Sequence, residues 1–412
     1  MERTIVGIDV GTTKICTLVG EVNEHNDLRI VGVGVAPARG IKKGAVVNVA
    51  EAAASIKASI EKAERSSGYE IARAFVSVTG SHINAINSRG VVAVARGDKG
   101  ITADDIDRAL DAARAIAIPH DREVLHVIPR SYTVDGQDGV HEAVGMIGFR
   151  LEVETHIITG AASSIQNLLK CVESCKVGVD GFVINPIASG EAVLTENEKD
   201  MGVVLVDIGG GTTDIAIFIE GSVWHTTVLA IGGNHITNDI AVGLRVPAEA
   251  AEQLKIEHGH ARHETIDPTE VVQVKAFGDG GAARVSRRDL GEIIEARAEE
   301  IYQLVLQEIK RSGYDGLLPA GVVITGGASQ LRGLRELGRQ VLGLPVRVGG
   351  PQNLSGLVDA IDSPAYATAV GLLLWAQRLG DRASMPNGRQ RGPDFSARLG
   401  NFFRKLLPDR QR

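Results

Sequence analysis

The sequence predicts an α/β protein built from two similar lobes around a cleft. Three observations lead there: one acid–glycine–threonine turn occurs twice, each copy lies between two β-type runs, and helical stretches follow both. The first copy is Ile8-Asp-Val-Gly-Thr-Thr-Lys-Ile15 and the second is Val206-Asp-Ile-Gly-Gly-Gly-Thr-Thr-Asp-Ile215, half a chain away. Internal duplication of one β-meander unit is the economical explanation. At 412 residues the chain exceeds one ordinary core, so two to four domains are expected.

In the first lobe, Ile5, Val6, Ile8 and Val10 precede Gly11-Thr12-Thr13, and Ile15, Thr17, Leu18 and Val19 follow, which reads as strand, turn, strand. A third strand is expected at Leu28–Val35. Ala52, Ile56, Ile60 and Ala63 share one face of a helix at Val49–Ser66, with Gly68 after its end. A strand at Ala74–Val78 ends on Thr79-Gly80. From Ser81 to Gly160, short β-like runs (Val91–Val94, Val124–Ile128, Ser131–Val134, Phe149–Thr155) surround a helix at Thr102–Ile116. Thr102 caps that helix, with Asp105 at the capping-box offset. This stretch reads as a small inserted α+β module.

A helix at Ala162–Ser174, a strand at Gly181–Ile184 and a helix at Pro186–Thr195 lead to the second turn. Val203–Asp207, Ile215–Ile219 and Ser222–Leu229 repeat the three-strand form of the N-terminus. Residues 233–312 read as mostly helical (Asn238–Val242, Ala248–Glu257, Asp289–Arg311), interrupted by a polar stretch at Arg262–Pro268. Val322–Ile324 is a strand entering Thr325-Gly326-Gly327-Ala328, and helices follow at Leu331–Leu342 and Pro364–Gln377. From Gly380 to Pro393 the composition falls to Gly, Pro, Arg, Asn and Ser, which reads as a linker before a short tail. The expected division is a first lobe core at 1–81, completed by 161–192 and 362–379, with an inserted subdomain at 82–160. The second lobe core takes 193–230 and 318–361, a helical subdomain 231–317, the linker 380–393 and the tail 394–412.

Composition narrows the function classes. Apolar residues make up 44% and mean hydropathy is +0.05, as in a soluble globular protein, while aromatics at 4% leave packing to aliphatic side chains, Ala and Gly. A net charge of −7 argues against nucleic acid as a partner, because phosphate contacts need a basic face. No apolar run reaches the roughly 18 residues of a membrane-spanning helix. The opening MERTIVGIDVGTT places an acid and a glycine turn where an export signal has its apolar segment. Three cysteines (Cys16, Cys171, Cys175) form no disulfide framework and read as small buried hydrophobes in a reducing cytosol. Cys171 and Cys175 are one helical turn apart without a nearby His, so they do not make a metal site.

The paired turns carry the chemistry. Glycines let several backbone N–H groups point into one concavity and hold phosphate oxygens, and Thr hydroxyls add donors. An Asp at each strand end offers oxygen to Mg²⁺, which keeps much of its water. Two such hairpins facing each other would grip a polyphosphate from both sides. Gly209-Gly210-Gly211 is followed by a strand, whereas dinucleotide-binding and Walker loops open a helix, and no Walker pattern is present. Val323-Ile-Thr-Gly-Gly-Ala-Ser329 is a candidate third wall for a base. Its alternative is a glycine pair that only terminates a strand.

Together these pieces resemble the actin, heat-shock chaperone and sugar-kinase superfamily, and within it the FtsA family of actin-like bacterial cell-division proteins. The residues that carry the resemblance are Gly7–Glu21 (GIDVGTTKICTLVGE), His126–Tyr132 (HVIPRSY), Asp207–Ile217 (DIGGGTTDIAI), Val323–Ala328 (VITGGA) and Ala367–Leu373 (ATAVGLL). The resemblance implies an actin-like (ribonuclease H-like) duplicated fold with an inserted SHS2-type subdomain, ATP and Mg as ligands, and self-association into filaments. It implies Asp9, Gly11, Thr12, Thr13 and Lys14 as the first phosphate motif. Asp207, Gly209, Gly210, Gly211, Thr212, Thr213 and Asp214 are the second, and Gly326, Gly327 and Ala328 the adenosine turn. Asp9 and Asp207 would hold Mg through water. Glu252 and Lys255, three apart on a helix, resemble residues that reach ribose and base; the alternative is an exposed pair at solvent.

Asn185-Pro186 departs from the hydrolysing relatives, which have an acid before that Pro to activate the attacking water. An amide does not titrate and cannot serve as a general base. ATP is therefore expected to act as a conformational ligand, with turnover weak or absent.

In the tail, Phe395, Leu399, Phe402 and Leu406 recur at helical spacing. Phe403 and Leu407 widen the apolar face, and Arg398, Arg404 and Lys405 lie away from it. With Arg389, Arg391, Arg410 and Arg412, seven bases face Asp394 and Asp409. This reads as a basic amphipathic helix for a membrane surface, too short to span a bilayer. Docking on the body or in a partner's groove is the alternative.

The leading expectation is an ATP-dependent adaptor at the cytoplasmic face of the bacterial membrane at the division site. It would self-associate, bind the tail of tubulin-like FtsZ and recruit other division proteins. The resemblance puts the FtsZ tail on the helical subdomain, with Arg297 as a contact; a solvated helix face is the plain alternative for that residue. The other function classes are a small-molecule kinase of the superfamily and a pilus-assembly adaptor of the PilM type. Asn185 and the tail weigh against the kinase, and the tail and HVIPRSY weigh against the pilus protein.

Overall fold

The computed structural model describes residues 3–384, apart from 96, 116–117 and 276–281. The expected tail at 394–412 and linker residues 385–393 lie outside the described residues.

The duplication is visible in the strand order. One five-stranded sheet runs Gly178–Ile184, Arg73–Val78, Arg3–Val10, Lys14–Val22, Leu28–Pro37. The other runs Val346–Val348, Val322–Thr325, Val203–Ile208, Thr213–Ile219, Ser222–Leu229, which is the same order in chain sequence. In each, three antiparallel strands form the meander and two parallel strands extend it beside the meander's first strand. Val, Ile and Leu occupy both faces of these central strands, as expected where both sides are covered.

Two cores follow from this layering. The first joins Ile8, Leu18, Ile56 and Val76 to Val370 and Leu373 of the last helix, Ala367–Ser384, and reaches Leu205, Phe218 and Val323 of the second sheet. The opposite face of the second sheet (Val206, Ile217, Ile324) packs on the helical subdomain through Ile240, Ile294 and Tyr302. The helix Asn185–Val193 lies between the lobes and packs against the last helix.

The inserted module is a four-stranded antiparallel sheet, ordered Asn84–Ala93, Arg150–Ala161, Arg122–Val134, Gln137–Val140. Helix Ala103–Arg114 covers it with Ile106, Ala109, Leu110 and Ala113, and the Thr102–Asp105 capping box forms. The runs at Val124–Ile128 and Ser131–Val134 are one strand. Pro129, which has no N–H to give, sits opposite a register shift between Glu154 and Thr155. This module is fastened to the second lobe. His156 bonds Thr226 at 2.9 Å, Ser222 donates to the Pro129 carbonyl at 2.7 Å, and the Arg130 guanidinium lies 4.1 Å from the Trp224 ring centroid.

Several boundaries differ from the sequence reading. The expected helix at Asn238–Val242 starts at Gly233, because the N–H groups of Gly233 and Asn234 are capped by the carbonyls of Gly209 and Gly210 at 2.9 and 2.8 Å. Within the region read as helical, Val271–Lys275 and Ala282–Ser286 form a hairpin. Helix Leu331–Leu342 begins only at Leu334, since Gly333 takes a left-handed φ of 79°. The last helix runs through Ser384, into the stretch expected as linker from Gly380.

Candidate functional site

The two glycine turns meet. A side-chain carbon built on Gly210 would lie 2.1 Å from the Thr13 hydroxyl oxygen, and one on Gly211 2.7 Å from that of Thr12. The antiparallel registers place Asp9 opposite Cys16 and Asp207 opposite Asp214, so both strand-end acids point to the junction of the lobes. A cavity of about 570 Å³ opens there, the size of a small-molecule site.

Asp9, Gly11, Thr12, Thr13 and Lys14 line it, as do Asp207, Gly209, Gly210, Thr212 and Asp214. Gly326, Gly327 and Ala328 form the third wall, and Gly326 takes a φ of 83° with its carbon facing an Asp207 oxygen too closely for any side chain. Gly211 packs against Thr12 without lining the cavity. Thr213 departs from its expected part as a phosphate donor: its side chain is buried and donates to the Ile231 carbonyl at 2.8 Å. Alternation along the strand turns Thr213 away from the cavity that Thr212 and Asp214 line.

Glu252 and Lys255 also line the cavity and are not a free pair at solvent. The Lys255 ammonium bonds Glu252 at 2.6 Å, Thr237 at 2.8 Å and the Gly233 carbonyl at 3.2 Å. Arg297 lies outside the cavity. Its guanidinium pairs with Asp239 at 2.5 Å and with Glu300, so it is held inside the helical subdomain.

The acids are buried and partly hydrogen-bonded. Ser77 donates to Asp9 at 2.8 Å, Thr368 to Asp207 at 3.0 Å, and Thr212 to Asp214 at 2.9 Å. Thr79, on a first-lobe strand end, donates to the other Asp214 oxygen. Desolvation raises the pKa of Asp9, pushes Asp207 up to about 6 and Asp214 up to about 8. The neighbouring acids add to the shifts of Asp207 and Asp214. Desolvation lowers the pKa of Lys14, against the pull of Asp9 and Asp207.

Three buried carboxyls lining one cleft are a place where a divalent cation would offset mutual repulsion. Among the described residues no cluster of three or more His, Cys, Asp or Glu is placed for direct metal ligation. The carboxylate oxygens of Asp9 and Asp207 are hard donors of the kind a divalent cation takes, directly or through its water. Asn185 also lines the cavity, and its amide oxygen is buried without a hydrogen-bond partner among the described residues. The backbone and hydroxyl donors of both turns fit the oxygens of a polyphosphate.

Sequence reasoning passed over Thr79, Asn234, Gln330, Arg332, Pro364, Ala365 and Thr368, all of which line the cavity. Thr79-Gly80 at a strand end and Thr368 within ATAVGLL were the available signals.

The family model described as "Cell division protein FtsA" matches residues 204–371, and that of the "SHS2 domain inserted in FTSA" matches 80–159. The chain is 45% identical to the cell division protein FtsA of Pseudomonas aeruginosa, over 93% of this chain and 92% of that protein. It is 42% identical to FtsA of Neisseria meningitidis, over 98% of each. Against FtsA of Escherichia coli the identity is 36%, over 98% of this chain and 96% of that one. Among solved structures, a PilM–PilN type IV pilus biogenesis complex superposes with a TM-score of 0.65 at 16% identity, covering 90% of this chain and 98% of that one. MreB5 of Spiroplasma citri bound to ADP superposes at 0.57 and 13% identity, covering 94% and 99%. These structural likenesses establish the actin-like fold.

Proposed function

The chain belongs to the FtsA family of cell-division proteins, and from that premise we propose that it is an ATP-binding adaptor that tethers the FtsZ ring to the cytoplasmic face of the bacterial membrane. The observation that carries this reading is the meeting of the two glycine turns over one cavity, with Asp9, Asp207 and Asp214 buried in its floor. A triphosphate would be gripped from both lobes at once, so binding favours the closed arrangement of the lobes and ATP acts as a conformational ligand. Magnesium would be held by Asp9 and Asp207 through water and would neutralise phosphate charge. The likeness of the fold to ADP-bound MreB5 supports a nucleotide here, and its likeness to the MamK double helical filament (TM-score 0.51, 14% identity) supports self-association.

The basic tail supplies the membrane contact. Each Lys or Arg near an anionic surface contributes about 1 kcal/mol, in addition to burial of the Phe and Leu side chains. The helical subdomain receives the acidic FtsZ tail, where Arg297 would have to exchange Asp239 or Glu300 for a carboxylate of the peptide. The inserted subdomain meets later division proteins.

Vesicle co-sedimentation tests the reading. With anionic vesicles the protein should pellet, carry FtsZ down with it, and do so more completely with Mg·ATP. FtsZ remaining in the supernatant while this protein pellets would overturn the tether.

A further inference from the structure

The segment Ser363–Thr368 completes the first lobe in chain order yet touches all three walls of the cavity. The Pro364 carbonyl accepts from the Gly326 N–H at 3.2 Å and from the Thr325 hydroxyl at 3.4 Å. Thr368 donates to Asp207 at 3.0 Å. Between these two anchors Tyr366 lays its ring against the first hairpin: the Lys14 ammonium lies 3.2 Å from the ring centroid.

Three features separate this contact from ordinary packing. The Lys14 ammonium makes no hydrogen bond or ion pair among the described residues, and the ring face holds it while Asp9 and Asp207 attract it from beyond ion-pair distance. Without it a four-carbon side chain would sample many rotamers. The ammonium is partly desolvated at the cavity wall, where a ring face attracts a cation more strongly than in water. The backbone that carries the ring is held, because the Tyr366 N–H bonds the Ser363 carbonyl at 2.9 Å and the Ser363 hydroxyl accepts from the Ala365 N–H at 3.3 Å, and the ring packs on the first core. Tyr366 does not line the cavity, whereas Lys14 does. The ring therefore acts on a ligand through Lys14.

We propose that Tyr366 is a positioning residue that parks the Lys14 ammonium at the edge of the phosphate site, from which it passes to a phosphate oxygen when a nucleotide enters. This rests on the reading of the cavity as a nucleotide site. A charge-assisted bond to phosphate is stronger than the attraction of a ring face, so the nucleotide displaces the ring. Because the anchors of Tyr366 are Gly326 and Asp207 of the second lobe, the platform also keeps Lys14 in register with both turns.

A double-mutant cycle on Mg·ATP affinity tests this. Tyr366→Leu should tighten binding by up to about tenfold, the scale of a desolvated cation–ring contact, because a contact given up on binding no longer opposes it. In the Lys14→Gln background the same substitution should change affinity by less than about twofold, and Tyr366→Phe should restore wild-type binding. Equal changes in both backgrounds, or weakened or wild-type affinity in Tyr366→Leu, would overturn the proposal. Wild-type protein that binds no Mg·ATP would sink the nucleotide reading and this inference with it. A second readout needs no variant of uncertain folding. In the wild-type protein the Lys14 ε-methylene resonance should carry a ring-current shift that disappears on adding Mg·ATP. An ordinary, ATP-insensitive shift counts against the platform.

Discussion

The hydroxyl of Thr13 occupies the space where a side chain on Gly210 would go, 2.1 Å from the position of its first carbon. One lobe thus supplies the contact surface of the other, and the cavity exists only because neither turn carries bulk at the meeting point. Gly210→Ala should force the turns apart, at an overpacking cost of about 1–3 kcal/mol. Mg·ATP affinity should fall by at least about tenfold in calorimetric titration. Adding Thr13→Ala should recover part of that loss, because it removes the clashing oxygen. A double variant no better than Gly210→Ala would refute the steric account.

Asn185 lines the same cavity as Asp9, Asp207 and Asp214, and its buried amide oxygen has no hydrogen-bond partner among the described residues. ATP turnover by the wild-type protein should stay below about 1 s⁻¹, the low end of ordinary enzymes. Asn185→Asp adds a buried acid whose pKa burial and its neighbours would raise, placing it near a useful base. Phosphate release should then rise by about tenfold or more, towards the 10²-fold that a positioned base can supply. An unchanged rate would show that the amide is not what limits hydrolysis.

Acid sensitivity should arise where the inserted subdomain meets the two lobes, at His156 beside Thr226 and His126 beside Ile184. Burial pushes His156 down to about 3, with His225, Arg130 and His126 adding to the shift, and burial alone takes His126 down to about 3. In the unfolded chain both imidazoles take up protons near pH 6.5. Between 6.5 and 3 the unfolded state binds more protons, so this contribution to stability is lost as pH falls below 6.5. Asp207 and Asp214 act in the opposite direction, because their raised folded pKa values make the folded state the better proton binder from about pH 4 upwards. The discriminating measurement is therefore the difference between wild type and His156→Gln in urea unfolding at several pH values. The variant should lose about 1 kcal/mol less than wild type for the first pH unit below 6.5. Parallel curves would remove His156 from the account.

The tail makes a separate prediction. Phe402→Glu with Phe403→Glu should abolish vesicle pelleting while leaving the thermal transition of the body unchanged. Pelleting at the wild-type level would refute the membrane role of the apolar face.

The duplicated turns were legible because glycine, Thr and Asp at fixed spacing between β-branched runs have few other uses. The two lobes, the inserted module and the cavity-lining part of both motifs follow from that pattern. What stayed hidden was set by distant partners. The helix expected from Asn238 begins five residues earlier, at Gly233, because the carbonyls of Gly209 and Gly210 cap its first N–H groups. The hairpin at Val271–Lys275 is too short for its alternation to stand out from helical neighbours. Thr213 looks like its neighbours in sequence, and only strand alternation turns it away from the cavity. Tyr366 carries no local mark at all, because its contact with Lys14 closes across most of the chain.

The last helix, described through Ser384, puts an upper bound on how far the chain can reach before the basic tail. Nine residues, 385–393, separate that helix from the first residue of the basic tail. Fully stretched, they span at most about 30 Å. A body moored by residue 394 onward would thus ride within about one domain's breadth of the lipid headgroups, keeping whatever it captures close to the bilayer.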